Sequence, residues 1–125
     1  MIRILVAATL LYLAAAVAIA AYGAPPEGSD PDSATARWFR SLIIPGTEQT
    51  PCCGWSDGRA VEYRVAGDHY EALVGRQFPD GPEVPTWIAV PAGRVLTRTD
   101  NPTGRAVLFW RPGTGVLCFV LPAQV

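Results

Sequence analysis

The sequence predicts a mainly β domain with a single helix in front of it. Two stretches support this: apolar and polar residues alternate on either side of Gly67-Asp68, and two apolar runs flank Pro112-Gly113-Thr114. Each stretch is typical of a β-hairpin, because turn-forming residues separate two short strand-like runs. With a further run from Thr86 to Val90, the chain is expected to form about five strands. They would make a small antiparallel sheet or an SH3-like barrel, tied by a disulfide.

The N-terminal residues 1-23 are predicted to direct the chain out of the cytoplasm. A short positively charged start at Met1 to Arg3 is followed by Ile4 to Ala21, which are almost wholly apolar. This pattern is typical of a signal peptide cleaved at small residues near Ala21 or Ala24, or of a retained N-terminal membrane anchor. The expected location is the periplasm or the medium, with anchoring in the inner membrane as the alternative.

Residues 24-31 predict a linker, because proline, glycine and serine are concentrated there, and residues 32-125 are expected to form the β domain. The 125-residue sequence has 10 basic and 11 acidic residues and a formal net charge of -1. Because neither sign is in excess, we expect no binding to nucleic acid. Membrane contact is expected only through residues 4-21, if that segment is not cleaved.

A short helix is predicted at the start of the domain. Ser29 or Asp30 can cap its first turn, and the helix continues through Ala34 to Leu42 before Pro45-Gly46 ends it. Trp38 lies four residues before Leu42, so both are expected on the face that packs against the sheet.

The first predicted hairpin joins a strand from Arg59 to Ala66 with one from His69 to Gly75. Its two-residue turn places Arg64 opposite Glu71 on a solvated face. The expected pairs on the apolar face are Val65 with Tyr70, Tyr63 with Ala72, and Val61 with Val74.

In the second hairpin, a two-residue turn at Gly113-Thr114 would place Phe109 opposite Cys118 and Trp110 opposite Leu117. Both faces of this hairpin are apolar. We therefore expect it in the interior of the domain, between a sheet and the helix, with a partner chain as the alternative neighbour.

Three cysteines in an exported chain predict one disulfide and one remaining thiol. The expected bond joins Cys118 to one of the two adjacent cysteines, Cys53 with Cys52 as the alternative partner. It would close a loop of about 65 residues and stabilise a small domain by about 2–4 kcal/mol. A strained bond between the adjacent pair is a further alternative.

Two motifs give the chain a family resemblance. They are Cys52-Cys53-Gly54 followed by Ser56-Asp57, and Asn101 to Val107, which reads Asn-Pro-Thr-Gly-Arg-Ala-Val. With these motifs, and over most of the chain from Arg37 onward, the sequence resembles small exported proteins of unknown function from alphaproteobacteria. The resemblance brings no activity with it.

The pattern of these proteins has two further cysteines, at the positions of Gly58 and Phe109. The resemblance implies that those two positions are bonded to each other in relatives. Cys118 is then left to pair with Cys52 or Cys53.

No motif in the sequence specifies a reaction. Cys52, Cys53, Cys118 and His69 offer the ligands of a three-sulfur, one-nitrogen zinc shell, but their spacing matches no recurring zinc pattern. His69 could also act as a base for Ser56 or Ser41, oriented by Asp57 or Asp68. Nothing in the spacing brings these residues together, so no catalytic residue, metal or cofactor is predicted.

The predicted function is therefore a non-catalytic binding or accessory module of the bacterial cell envelope. The sequence does not decide whether the protein also has an enzymatic activity. The expected binding residues are Trp55, Asp57, Arg59, Trp87 and Trp110. The expected partner is another envelope protein or an envelope polymer. The alternatives are a membrane-anchored subunit of a larger complex and a thiol- or metal-handling protein that uses the three cysteines and the histidine.

Overall fold

The computed structural model of the protein describes residues 30-52 and 57-123. These residues form one α-helix, α1 (Ala34–Arg40), and a short 3-10 helix at Ala92–Arg94. The strands are β1 (Gly58–Val61), β2 (Tyr63–Ala66), β3 (His69–Val74), β4 (Thr86–Val90), β5 (Val95–Leu96), β6 (Ala106–Arg111) and β7 (Gly115–Val120). The mainly β prediction is confirmed. The predicted signal or anchor, and most of the predicted linker, lie outside the described residues.

The strands form two sheets rather than one. The first sheet has the order β1-β6-β7-β5 and the second has the order β2-β3-β4. Neighbouring strands are antiparallel except β5 and β7, which run parallel. No helix among the described residues has the length and apolar character needed to cross a membrane.

The predicted first strand is divided at Glu62. Its first half, β1, pairs with β6, and its second half, β2, pairs with β3. A strand that bends in this way passes from one sheet to the other, as strands do at the corner between packed sheets. The predicted pairing of Val61 with Val74 is therefore wrong, and Val61 lies opposite Ala106.

The rest of the first hairpin has the predicted register. Arg64 lies opposite Glu71 and Val65 opposite Tyr70, with Tyr63 opposite Ala72. Val65 nevertheless remains 68% exposed, so the edge of the predicted apolar face is open to solvent.

The second hairpin differs from the prediction only near its turn. Arg111 lies opposite Gly115 and Trp110 opposite Val116, so the turn has three residues rather than two. A β-bulge, in which Leu117 of β7 is the extra residue, then restores the predicted pairing of Phe109 with Cys118.

The β6–β7 hairpin is the middle layer of the domain. One of its faces packs against α1 in a cluster that contains Trp38, Phe39, Leu42, Cys52, Leu96, Val107, Phe109, Cys118 and Val120. The other face packs against the second sheet in a cluster that contains Val61, Ala72, Val74, Phe78, Val90, Ala106, Leu108, Val116 and Phe119. A strand pair with two apolar faces thus lies between the helix and a sheet, as predicted.

The helix begins later than predicted. Its cap is Ser33, whose side-chain oxygen accepts a hydrogen bond from the backbone N–H of Ala36 at 3.1 Å. Asp30 instead accepts from the backbone N–H of Asp32 and stabilises the preceding turn. The helix ends at Arg40, before Pro45.

The disulfide joins Cys52 to Cys118, with 5.7 Å between the two Cα atoms. The pairing of Cys53 with Cys118 is therefore replaced by the alternative pairing. Cys52 is held in place because its backbone N–H donates to the carbonyl of Leu42 at 3.0 Å, next to a β-bridge between Ile43 and Pro51. Both bonded cysteines are fully buried. A buried disulfide is typical of an oxidising compartment outside the cytoplasm.

Candidate binding site

A groove of about 380 Å³ lies at the end of the domain where three loops meet. Its lining residues are Asp57, Pro79, Asp80, Trp110, Arg111, Pro112 and Thr114. Two of the predicted surface residues, Asp57 and Trp110, thus line one groove. Its volume is at the lower end of the range for small-molecule pockets.

The indole of Trp110 forms the aromatic surface of the groove. It is half-buried and stands edge-on to the ring of Phe78, with 5.6 Å between the ring centroids and 71° between the ring planes. Phe78 is almost completely buried, so it gives the indole a fixed support. Trp110 also lies next to the β-bulge in β6–β7, whose extra residue is Leu117 on β7, and bulges often occur next to functional sites.

The loop that carries Pro79 and Asp80 is held by its own backbone. The N–H of Phe78 donates to the carbonyl of Gly75, and the N–H of Gly81 donates to the carbonyl of Phe78. A Cβ on Gly81 would lie 1.9 Å from the carbonyl oxygen of Gly75, so only glycine fits there. The loop therefore presents its two lining residues from a fixed backbone.

Polar groups of both charges surround the indole. A guanidinium nitrogen of Arg111 lies 3.8 Å from a carboxylate oxygen of Asp57, and Asp80 adds a second carboxylate. Arg59 fixes the neighbouring loop, because its Nε donates to the carbonyl of Gln77 at 2.9 Å. The arrangement can stack a flat apolar group on the indole while the rim exchanges hydrogen bonds with polar groups of a ligand.

The remaining predicted surface residues lie elsewhere. Trp87 is on the outer face of the second sheet, where the guanidinium of Arg64 lies 4.1 Å from the ring centroid. Arg64 also bonds to Glu71 at 2.8 Å, which makes this face a compact stack of aromatic, cation and anion. Trp55 lies outside the described residues, as does Cys53.

His69 is at the start of β3, and its Nδ1 lies 3.1 Å from the exposed carboxylate of Asp68. This hydrogen bond lowers the pKa of the Asp68 carboxyl below its usual value. Ser41, considered above as a nucleophile, instead donates to the carbonyl of Trp38 and accepts from Arg98. The described residues therefore do not assemble the histidine with that serine.

The disulfide takes up two of the four ligands that a zinc shell of Cys52, Cys53, Cys118 and His69 would need. Cys52 and Cys118 have no thiolate to offer while their bond is intact. Within residues 30-52 and 57-123, no group of three or more His, Cys, Asp or Glu side chains is placed to hold a metal ion.

A polar network near the helix could not be found by sequence reasoning. The carboxylate of Asp100 accepts hydrogen bonds from Nε1 of Trp38 at 3.1 Å and from two guanidinium nitrogens of Arg98 at 2.8 Å and 2.6 Å. These donors hold the pKa of the Asp100 carboxyl well below its usual range. The network ties α1 to the loop after β5, which assigns it a structural role.

The Asn-Pro-Thr-Gly-Arg motif also has a structural role. Asn101 is buried, and its amide nitrogen donates to the carbonyls of Arg105 and Leu121 at 2.8 Å and 3.0 Å. Its amide oxygen accepts from the backbone N–H and the hydroxyl of Thr103. The Asn101 side chain thus makes hydrogen bonds to four groups of the loop and its neighbours, and these bonds hold the conformation of the loop that leads into β6.

No family model matches the chain, and comparison with the curated proteins and with the solved structures also finds no match. The groove at Trp110 is therefore assigned as the candidate site from the chemistry of its own residues.

Proposed function

We propose that this protein is an exported, non-catalytic binding or accessory module of the bacterial cell envelope, and that the groove at Trp110 is its binding surface. The observation that carries the proposal is the supported indole of Trp110 among Asp57, Asp80 and Arg111. Aromatic residues with polar neighbours on fixed loops are enriched at recognition surfaces. The buried disulfide supports export, since such bonds persist in oxidising compartments.

The partner is proposed to be another envelope protein or an envelope polymer, and the location is proposed to be periplasmic or secreted. The experiment is a sedimentation assay of the purified protein with isolated envelopes. We expect Trp110→Ala to weaken retention at least about tenfold, because an aromatic at the centre of an interface typically contributes that much. Asp80→Asn tests the rim and keeps a residue that tolerates the left-handed backbone of position 80, where φ is 56°.

Val84→Ala is the matched control, because Val84 is 75% exposed and does not line the groove. Near-UV circular dichroism must show that Trp110→Ala remains folded. A folded Trp110→Ala that binds envelopes as the wild type does would exclude this groove. Treating the envelopes with protease or with a muramidase before the assay then separates a protein partner from a glycan polymer.

A second candidate function is a membrane-anchored small subunit of a larger complex. The observation that favours it is the apolar run from Ile4 to Ala21. The intact mass of the protein recovered from its native envelope distinguishes the two. A mass that corresponds to a chain starting near Ala21 or Ala24 supports a released module. The mass of the full-length chain supports an anchored subunit.

A further inference from the structure

Strand β4 forms one edge of the second sheet. Within the described residues its neighbour in the sheet is β3, so its other side has no paired strand. Thr86 and Ala89 are exposed, as expected for an uncovered edge. An edge of this kind presents a row of backbone N–H and C=O groups that a further strand can bind.

The sequence of β4 lacks the charged residues that often protect an edge strand. No charged residue occurs between Glu83 and Arg94, and β4 itself reads Thr-Trp-Ile-Ala-Val. The opposite edge of the same sheet, β2, carries Arg64 in its centre, and a charge there opposes pairing. Pro85 and Pro91 border β4, and because proline lacks the N–H they limit further pairing to the five residues between them.

The five residues of β4 are complementary to the same five residues of a second copy of the chain. In an antiparallel pair of two copies of β4 related by a two-fold axis at Ile88, Trp87 of each copy lies opposite Ala89 of the other. Both residues are on the outer face of the sheet, because Ile88 and Val90 pack with the core on the inner face. A large side chain thus meets a small one at both symmetric positions, and no charges are brought together.

We propose that β4 is a homodimerisation edge, at which a second copy of the chain adds its own β4 to form a continuous six-stranded sheet. A second copy is favoured over other strands for two reasons. Its β4 has the same five residues available between prolines, and the contact of Trp87 with Ala89 forms twice, once on each side of the two-fold axis. Two paired five-residue strands bury less than a standard interface of about 1,600 Å². The dimer is therefore weak, with a dissociation constant on the order of micromolar to millimolar.

The test is sedimentation equilibrium of the purified protein over a wide concentration range, with one variant on each edge of the sheet. Ala89→Lys places a long side chain where the dimer brings Trp87 of the second copy, while in the monomer it faces solvent beside Glu71. We expect it to weaken dimerisation at least about tenfold. Val65→Lys, on the β2 edge of the same sheet, is the matched control and leaves the dimer unchanged.

Hydrogen exchange supplies an independent measurement. Amides of residues 87-89 that face the edge gain protection as the protein concentration rises, whereas those of β2 do not. A wild-type protein that stays monomeric at millimolar concentration overturns the proposal. A dimer that survives Ala89→Lys overturns it as well, and so does protection of residues 87-89 that arises only with a different protein. The groove at Trp110 is not involved, so each of these outcomes leaves the proposed function unaffected.

Discussion

Gly58 lies directly opposite Phe109 in the ladder between β1 and β6, and the ring of Phe109 fills the space where a side chain at position 58 would be. A Cβ on Gly58 would come 2.8 Å from that ring and 2.6 Å from the ring of Phe39. The glycine is therefore required by the close approach of two aromatic rings. Positions 58 and 109 share one space, so a change at either is expected to depend on the other.

This relationship predicts that the double variant Gly58→Cys/Phe109→Cys forms a second disulfide. Directly opposite residues of antiparallel strands have Cα atoms about 4.5–5.5 Å apart, which lies within the range that a disulfide needs. Removing the Phe109 ring also makes room for the new side chain. The measurement is the number of thiols that react with an alkylating agent in the unfolded, unreduced protein, which we expect to equal that of the wild type.

The single variants are the controls for this prediction. Gly58→Cys alone meets the two rings and is expected to lower the free energy of unfolding by about 1–3 kcal/mol. Phe109→Cys alone loses a fully buried ring and is expected to cost about 3–5 kcal/mol. Two additional reactive thiols in the double variant would show that the positions cannot be bonded.

A second prediction concerns which of the adjacent cysteines carries the disulfide. Cys53→Ser is expected to keep the bond and a free energy of unfolding close to that of the wild type, because Cys52 is the bonded residue. Cys52→Ser removes the bond and is expected to lower the free energy of unfolding by about 2–5 kcal/mol. Urea denaturation with and without a reductant measures both. The reverse order of stability in the two variants would mean that Cys53 is the partner of Cys118.

The strand registers that could be predicted from the sequence depend on local patterns. The β2–β3 register follows from alternation around Gly67-Asp68 and holds in the structure. The pairing of Phe109 with Cys118 was also correct, although the turn was not, because the extra turn residue and the bulge cancel each other. The bend at Glu62 could not be predicted, since apolar residues continue to alternate on either side of it.

The candidate site was only partly predictable, because it depends on contacts between distant parts of the chain. Asp57 and Trp110 were selected as aromatic or polar residues near turns, and the fold brings them to one groove. Trp87 was selected on the same grounds and lies on the outer face of the second sheet. The role of Phe78, which supports the indole of Trp110, could not be predicted, because its loop has neither strand nor helix periodicity.

A third prediction tests the structural role of the Asn101 loop. Asn101→Ala removes the buried amide that donates to the carbonyls of Arg105 and Leu121, and the loss of a buried hydrogen-bonding group typically costs about 1–3 kcal/mol. Thr47→Ala is the matched control, because it removes a side-chain bond to the carbonyl of Ile44 in an exposed turn. Thermal unfolding of the two variants is the measurement. Equal melting temperatures would contradict the role assigned to Asn101.

The last prediction is that Asp100 makes the free energy of unfolding of the domain depend on pH in the acid range. Its carboxylate accepts hydrogen bonds from Arg98 and Trp38 in the folded state, and these lower its pKa below the unfolded value of about 3.9. A depressed folded pKa gives stability that is fully present above the unfolded pKa and is lost as the pH falls toward the folded pKa. The free energy of unfolding should therefore decline as the pH is lowered below about 5.

Asp100→Asn removes the titrating group but keeps the shape of the side chain. We expect the difference in unfolding free energy between wild type and variant to be largest near pH 7 and to shrink as the pH falls, because acid neutralises the carboxylate only in the wild type. Trp38→Phe keeps most of the ring but loses the Nε1 donor, so its pH dependence should lie between the two. Urea titrations between pH 7 and about pH 2.5 measure all three proteins across the range where a carboxylate titrates. A difference that stays constant with pH would mean that Asp100 stabilises the fold only through its shape and neutral contacts.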